Sequence, residues 1–376
     1  MQLERTDRAG GHVRDDHVSA TCLEADPTEP RAAGNPRELK RVLADHRGPS
    51  KSAAVWQLVT TLLLFVIGWA CMWACLPYGY WISLLIAVPT AGMLMRLFIL
   101  QHDCGHGAMF ASTKVNRLVG VALSALSLTP YQCWRRQHAQ HHATNGQLDH
   151  RGVGDVTMHT LEEYRALSTR DRWIYRIYRH PLILFGIGPL LYFGVYQRLP
   201  GRVPKDWPRE RMSVHGTNLL LAAVFAAMAW LVGPLVFLKL HLPVLAMAAS
   251  AGSWLFFVQH QFNPSYWEHD DDWDYHRAAI DGSSFLDLPR PLRWLTANIG
   301  YHHIHHLDSR IPNYALPACH AAHSDLRKVE RLTLVSALRC SRLKIWDEEA
   351  RELLTFRQAK RRLQLPAHRR VDLAAK

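Results

Sequence analysis

The chain has 376 residues, 48% of them apolar, and its Lys and Arg residues outnumber Asp and Glu by 44 to 32, a net charge of +12. No basic stripe accompanies a recognisable nucleic-acid motif, so no nucleic-acid partner is predicted. The seven cysteines are scattered and form no CxxC pair, which argues against a structural zinc site and against a disulfide framework.

The two ends of the chain differ from its middle. Residues 1–35 mix Gly, Pro and charged residues without periodicity, which predicts a disordered tail. A short amphipathic helix is predicted to begin at Pro36. Residues 357–376 are read as a basic C-terminal tail, so the predicted folded domain spans 36–356.

Four apolar blocks dominate the middle of the chain. Residues 54–75 and 80–100 are separated only by "LPYG", and residues 217–237 and 243–258 only by "LKLHL". Each block is near the ~20 residues that cross a bilayer as a helix. The prediction is an all-α membrane protein, with four transmembrane helices in two hairpins and a helical cap on the cytosolic side. A very apolar soluble helical protein is the alternative.

The charge distribution predicts the topology. If both hairpins cross, everything outside the two short linkers lies on one side, and that side holds nearly all Lys and Arg. The positive-inside rule places it in the cytosol with both termini. We expect a multi-pass protein of the plasma (inner) membrane of a bacterium. Two weaker apolar stretches, 118–130 and 181–196, predict short interfacial or buried helices.

Histidines recur at helical spacing on the predicted cytosolic side. They are His102 and His106, then His138, His141 and His142, then His260, then His302, His305 and His306. Neutral imidazole is a good ligand for iron, zinc, copper or nickel. These nine residues suffice to hold two metal ions with an open position on each. His303 is predicted to point elsewhere.

Other readings of these histidines stay open. A pH switch or a metal-storage patch would also concentrate histidine, although storage tracts are disordered and repetitive. A membrane metal transporter or sensor would place its ligands within the spans. Here the predicted spans are nearly free of ionisable residues, with Arg96 placed at the end of one.

The three boxes resemble those of the membrane fatty acid desaturase family, whose pattern is H-x3-4-H, H-x2-H-H and H-x2-H-H. Their surroundings, "HDCGHG", "LTPYQCWRRQHAQHHA", "RGVGDV", "VQHQF", "NIGYHHIHHLDSRIPNY" and "IWDEE", resemble its acyl-lipid omega-6 (Delta-12-type) branch. The resemblance covers about residues 40 to 356. One departure is Asn263, where this branch usually carries an acidic residue.

The resemblance implies an oxidoreductase with two iron ions held by the nine histidines. Such an enzyme uses O2 and two electrons to place a cis double bond in the acyl chain of a membrane lipid, at a Delta-12/omega-6-like position. An unactivated methylene requires a redox cofactor of this kind. The chain contains no haem-binding "HPGG" segment, so a separate ferredoxin or cytochrome b5 type donor is expected. A di-iron lipid, alkane or carotenoid hydroxylase on the same scaffold is the alternative.

Polar residues beside the boxes are candidates for orienting the imidazoles. They are Asp103, Asp149, Asp155 and Asp308, and a plain surface charge is the alternative for each. Asn298 is read either as reaching the metals through a water or as a helix cap.

Overall fold

The structure is a computed structural model that describes residues 36–152 and 154–364. The predicted disordered tail, residues 1–35, and residues 365–376 lie outside the described residues. The described chain is mostly helical, with a few short strands.

The helices occur in three stretches along the chain. The first stretch holds α1 (Pro36–Asp45), α2 (Lys51–Ala74), a 3₁₀ turn (Leu76–Tyr78), α3 (Tyr80–His106), α4 (Thr113–Ser127) and α5 (Tyr131–Thr144). The second holds α6 (Leu161–Ala166), α7 (Thr169–Tyr178), a π-helical segment (Leu182–Ile187) running into α8 (Gly188–Gly194), 3₁₀ turns (Tyr196–Arg198 and Pro200–Arg202), α9 (Pro208–Val232) and α10 (Pro234–His260). The third holds α11 (Tyr275–Asp281), α12 (Arg290–Leu295), α13 (His302–Leu307), α14 (Leu316–Ala322), α15 (Ser324–Arg327), α16 (Leu334–Cys340) and α17 (Phe356–Gln364).

Four helices of the described residues, α2, α3, α9 and α10, are long and apolar enough to cross a membrane. This confirms the four predicted spans and is consistent with a membrane protein. Helix α3 is central, because it packs against α2, α4 and α10. Its apolar window is 61% buried, against 17% for α2, whose surface is left for lipid.

The predicted break of the second hairpin is wrong. The "LKLHL" segment lies inside α10, and the chain turns earlier, at Gly233 with φ 87° and ψ 142°. Glycine tolerates that positive φ, and Pro234 follows at the first helical position, where its missing N–H costs nothing. The polar residues Lys239 and His241 suggested a linker, but His241 is buried and stacks on the ring of Phe237 at 5.0 Å.

A proline inside α10 leaves one backbone carbonyl to be satisfied from outside the helix. Pro243 has no N–H to donate to the carbonyl of Lys239, four residues earlier. The Tyr80 hydroxyl, at the start of α3, donates to that carbonyl at 2.8 Å. The hydroxyl therefore ties the two hairpins together at the end far from the histidines.

Arg96 was expected at the end of a span, and this expectation is also wrong. Helix α3 continues beyond it to His106, so Arg96 is an interior, buried residue. Its Nε donates to Thr61 Oγ1 at 3.1 Å, and its guanidinium lies 4.5 Å above the Trp294 ring. The guanidinium charge is thus stabilised by the Thr61 hydroxyl of α2 and by the face of the Trp294 ring of α12.

The two weaker apolar stretches form short helices, as predicted. Residues 118–130 lie mostly in α4, which packs on α3 and α9. Residues 181–196 form the π-helical segment and α8, which pack on α10. Both therefore support the long helices, and neither is long enough to be an additional span.

Short strands join the segments that follow the histidine boxes. Strand β1 (His159–Thr160) pairs in parallel with β4 (Ile345–Asp347), which pairs antiparallel with β5 (Glu352–Leu354). Strand β2 (Phe285–Leu286) pairs in parallel with β3 (Arg331–Leu332). Helix α17 begins at the end of the predicted domain, and its Ala359 is buried against the residues around β4.

Candidate metal centre

The four helices that carry the predicted ligands converge at one place. His102 and His106 lie in the last turns of α3, and His260 is the last residue of α10. Helix α5 carries His138, His141 and His142, and α13 carries His302, His305 and His306. The structure brings all nine histidines together at the ends of two apolar helices.

The nine histidines divide into two clusters within the described residues. The five-histidine cluster comprises His102, His106, His138, His142 and His305. The four-histidine cluster comprises His141, His260, His302 and His306. In each cluster the candidate ligand nitrogens all lie within 4.8 Å of one another. Each cluster therefore presents a convergent set of nitrogen donors.

The five-histidine cluster is built around His138. Its Nε2 lies 2.9 Å from Nε2 of His102 and 3.1 Å from Nε2 of His142. The Nε2 of His142 lies 3.0 Å from that of His305. The Nε2 of His106 is buried and has no hydrogen-bond partner among the residues that the structure describes. Each ring thus turns its Nε2 edge toward a common centre.

The four-histidine cluster is built around His260 in the same way. Its Nε2 lies 3.1 Å from that of His141 and 2.9 Å from that of His302. The Nε2 atoms of His302 and His306 are 3.2 Å apart. The two clusters are adjacent, because the rings of His142 and His306 stack at 4.2 Å with an interplanar angle of 11°.

Helical geometry explains how the two H-x-x-H-H motifs are shared. Residues four apart lie on one helix face, so His138 and His142 serve the five-histidine cluster and His302 and His306 serve the other. The middle histidine of each motif, His141 or His305, lies three positions after the first and points into the neighbouring cluster. Each motif therefore contributes to both clusters.

Burial favours the neutral form of five of the candidate ligand rings. The pKa values of five histidines outside the apolar helices lie well below the ordinary 6.5, first because burial disfavours the charged ring and second because neighbouring histidines repel its charge. They are His138, His142, His302, His305 and His306. Since metal binding requires the neutral ring, the site is prepared for a metal at ordinary pH.

The positions of the ring protons of His141 and His260 indicate whether these histidines could bind a metal ion. Nδ1 of His141 lies 2.5 Å from Asp155 Oδ1, which only accepts, so Nδ1 carries a proton, and in the neutral ring Nε2 then keeps a lone pair. Nδ1 of His260 faces the Gly282 carbonyl at 3.4 Å, which places that proton in the same way. Two Nε2 lone pairs then face each other at 3.1 Å and repel. A cation between them removes the repulsion, so the donor set fits a bound metal ion.

The predicted carboxylate partners divide into two pairs. Asp155 contacts His141, and the buried Asp103 contacts Nδ1 of His102 at 3.4 Å. Asp149 is exposed and pairs with His269 at 2.8 Å, and the buried Asp308 pairs with Arg47 and Arg310. The first pair is placed to orient imidazoles, and the second pair ties surface segments together.

Two further predictions concern residues beside the third box. His303 points away from the clusters as predicted, and its ring bonds to the Leu326 carbonyl at 3.0 Å. Asn298 has a left-handed backbone, φ 57°, and its N–H donates to the Arg293 carbonyl at 2.9 Å. This is a bond typical of a helix C-terminus, so the structure favours the capping role.

Sequence analysis did not predict which aromatic side chains contact these rings. Trp134 stacks on His138 at 4.7 Å, and Phe256 lies 5.2 Å from His141 and 5.1 Å from His260. Their spacing offered a signal, because each lies four residues before a ligand on the same helix. Asn313 was also missed. It donates to Asp103 across 210 residues of sequence, a contact that no local pattern could indicate.

Known proteins that are similar in sequence agree with this geometry. The family model described as "Fatty acid desaturase" matches residues 79–334. A "Fatty acid desaturase" of Bacillus subtilis (strain 168) is 38% identical over 333 residues, which cover 89% of this chain and 94% of that relative. The chain belongs to the fatty acid desaturase family. This confirms the resemblance found in the histidine boxes and identifies an enzyme.

Plant desaturases are also similar. An "Omega-3 fatty acid desaturase, endoplasmic reticulum" of Vigna radiata var. radiata is 29% identical over 280 residues, 68% of this chain and 69% of the relative. An "sn-2 acyl-lipid omega-3 desaturase (ferredoxin), chloroplastic" of Helianthus annuus is 31% identical over 247 residues, 60% of this chain and 51% of the relative. These names support fatty acid desaturation without supporting the omega-6 position.

The departure at Asn263 has a structural basis in this desaturase. Its Nδ2 donates to the Leu353 carbonyl at 2.9 Å, and its Oδ1 accepts from the Leu353 N–H at 2.8 Å. A carboxylate accepts hydrogen bonds but cannot donate one. Asparagine therefore satisfies both backbone groups of Leu353, which an acidic residue at this position would not do.

Proposed function

We propose that this desaturase holds two iron ions in its histidine clusters and inserts a cis double bond into the acyl chain of a membrane lipid. The proposed position is Delta-12 (omega-6). The overall reaction removes two hydrogens from the chain and, with two electrons and two protons from a donor, reduces O2 to two waters. The observation that carries the proposal is the convergence of nine imidazoles into two adjacent clusters.

The proposed ligands are the members of the two clusters defined above. Bound iron would supply the O2-dependent oxidation that removes hydrogen from an unactivated methylene. Imidazole donors suit iron among other transition metals, and burial lowers the pKa of five of these rings, which favours the neutral form that binds a metal. The chain's own contribution is to orient the rings, through Asp155 at His141 and Asp103 at His102, and to exclude water from the four-histidine cluster, whose members are all buried.

The location of the clusters supports a lipid substrate. His106 and His260 end helices of 27 residues that are apolar enough to cross a membrane. A lipid whose headgroup lies at the interface would bring its acyl chain to that level without leaving the bilayer. The proposed location is the plasma membrane of a bacterium, with the clusters on the cytosolic side.

The proposed electron donor is a separate protein of the ferredoxin or cytochrome b5 type. The ferredoxin named for the Helianthus relative supports the first of these. Three members of the five-histidine cluster, His106, His138 and His142, are half-buried rather than buried. That cluster is therefore the one closer to a protein docked from solvent.

Expression in a bacterium that makes no dienoic fatty acids tests the proposed function. The host is fed oleate, and fatty-acid methyl esters are analysed by mass spectrometry with the double bonds located by derivatisation. We expect a cis dienoic acid with its new bond at Delta-12. A hydroxy acid would instead support the hydroxylase alternative, and a dienoic acid with another bond position would refute Delta-12 alone.

Two neighbouring histidines provide a matched pair for this test. His305→Ala removes a member of the five-histidine cluster, and we expect loss of both product and bound iron. His303→Ala removes an equally buried ring that faces Leu326, and we expect it to keep iron and product. Product formed by the His305 variant would refute the proposed site.

A further inference from the structure

Asp103 is held by a residue from the far side of the third box. Its Oδ2 accepts two hydrogen bonds from Asn313, one from the backbone N–H at 3.0 Å and one from Nδ2 at 2.8 Å. Its Oδ1 is left facing Nδ1 of His102 at 3.4 Å. Both Asp103 and Asn313 are buried. The carboxylate is therefore fixed at one oxygen and presented to the imidazole with the other.

This arrangement is unusual for adjacent residues of a helix. Side chains at i and i+1 point in different directions, so Asp103 and His102 do not meet through helix geometry alone. The two donors of Asn313 hold Asp103 in the orientation in which its second oxygen reaches the ring. Asn298 extends the chain of contacts, because its Nδ2 donates to the Asn313 carbonyl at 3.1 Å.

The consequence lies in the tautomer of His102. A carboxylate only accepts, so it favours the tautomer with the proton on Nδ1, and the lone pair is then on Nε2. Nε2 of His102 is the atom that faces the centre of the five-histidine cluster, 2.9 Å from Nε2 of His138. The segment after the third box thereby orients a ligand of the first box.

We infer that Asn313 is a positioning residue for the metal held by the five-histidine cluster, and that it acts through Asp103 on His102. The inference rests on the proposed function, because it requires that this cluster binds iron. The imidazole that Asp103 contacts, His102, belongs to the five-histidine cluster and not to the other, so we expect the metal of the four-histidine cluster to be independent of Asn313.

Metal affinity measured by competition with a chelator tests the inference without reference to activity. We expect Asn313→Ala to weaken the binding of one of two Fe(II) equivalents by roughly tenfold and to leave the affinity for the other unchanged. Tenfold is the lower end of the effect of residues that hydrogen-bond to metal ligands. Both variants keep the backbone donor, but Asn313→Ser also offers a hydroxyl in place of Nδ2, and we expect an intermediate loss. The Co(II) form should show an altered visible spectrum for the same equivalent.

A double-mutant cycle tests whether Asn313 acts through Asp103. Asp103→Asn replaces the carboxylate with an amide of the same shape, which has one acceptor oxygen and so cannot accept from both Asn313 and Nδ1 of His102. We expect the Asp103→Asn/Asn313→Ala variant to bind iron no more weakly than Asp103→Asn alone. Additive losses would overturn the inference, because they would show independent effects.

Two control variants separate positioning from packing. Asn116 is a buried asparagine that bonds to both backbone groups of Phe110, and Asp308 is a buried carboxylate that pairs with arginines beside the third box. Asn116→Ala and Asp308→Asn should keep both iron equivalents, whatever their thermal stability.

The outcomes distinguish this inference from the proposed function. If the wild-type desaturase binds no iron, the proposed function fails. If it binds two equivalents and Asn313→Ala binds both as tightly, or loses both together with its thermal transition, the inference about Asn313 is wrong and the proposed function stands.

Discussion

The histidines of the third box are neutral because they are buried. The pKa values of His302, His305 and His306 lie well below 6.5, and burial is the largest cause for each. In the unfolded chain the same rings have an ordinary pKa near 6.5. Below that pH the unfolded state binds protons that the folded state does not, so acid favours unfolding.

The metal-free desaturase should therefore lose stability as the pH falls below about 6.5. The free energy of unfolding should decrease as the pH falls from 8 to 5.5, most steeply below about 6.5, where the rings of the unfolded chain become protonated. His269 changes the stability in the opposite direction, because Glu348 and then Asp149 raise its pKa and acid therefore favours the folded state at this ring. It is one exposed ring against several buried ones. Thermal unfolding in detergent after iron removal measures the effect.

A thermal midpoint that stays constant from pH 7.5 to 5.5 would contradict this account. The His305→Ala variant is a useful comparison, since it lacks one of the buried rings. Its midpoint should depend less steeply on pH than that of the metal-free wild type.

Residue types and their positions were enough to predict which histidines the structure brings together. The three boxes were identified from the spacing of three and four between their rings, and His260 from its place directly after the fourth apolar block. His303 faces the Leu326 carbonyl, as its predicted direction requires. The division into clusters was not predicted, because it depends on how α5 and α13 face each other. Asn313 was invisible for a similar reason, since its partner is 210 residues away.

At the scale of helices, α4 and α5 meet at one crowded contact. A Cβ on Gly120 would lie 2.3 Å from Cε2 of Tyr131, the first residue of α5. The Tyr131 hydroxyl also donates to the Cys104 carbonyl of α3 at 2.8 Å. Tyr131 is thus fixed between two helices, and it sets where α5 and its three ligands begin.

Gly120→Ala should therefore disturb the metal centre from a distance. The added methyl forces the Tyr131 ring to move, and we expect a loss of about 1–3 kcal/mol in unfolding free energy, typical of overpacking. The shift of α5 should also reduce the binding of the proposed iron ions. Thermal unfolding in detergent and elemental analysis measure the two effects.

Gly216→Ala in α9 is the matched control. No atom lies within 4 Å of a Cβ at that glycine among the described residues, and alanine favours a helix by up to about 1 kcal/mol over glycine. This variant should be at least as stable as wild type and fully loaded with iron. If Gly120→Ala behaves the same way, the contact with Tyr131 does not position α5.

Hydropathy and length predicted the four long helices, but not where the second pair turns. Apolar composition reports that a segment suits the bilayer, and polar Lys239 and His241 then looked like a break. The turn is set instead by backbone chemistry, the positive φ of Gly233 and the proline that follows it. His241 finds an aromatic neighbour inside the fold, which composition cannot show.

At the scale of the whole molecule, the apolar helices α3 and α10 end in candidate ligands, so their position in a bilayer determines where the histidine clusters lie. Helix α3 starts at the turn that contains Tyr78 and ends at His106. A helix of 27 residues is about 40 Å long at 1.5 Å per residue, enough to cross the ~30 Å hydrocarbon core. If α3 crosses, Tyr78 and the metal centre lie on opposite sides of the membrane.

Cysteine labelling in intact cells should place the two regions on opposite sides. In a variant with all seven native cysteines replaced by serine, Tyr78→Cys puts a thiol in the α2–α3 turn, where the side chain is 78% exposed. Arg165→Cys puts one on exposed α6, between the hairpins. A membrane-impermeant maleimide should label Cys at 78 in intact cells and Cys at 165 only in inverted vesicles, because the positive-inside rule holds the Arg-rich side in the cytosol. Labelling of both positions in intact cells would show that α2 and α3 do not cross as a hairpin, and the reverse pattern would place the histidine clusters outside the cell.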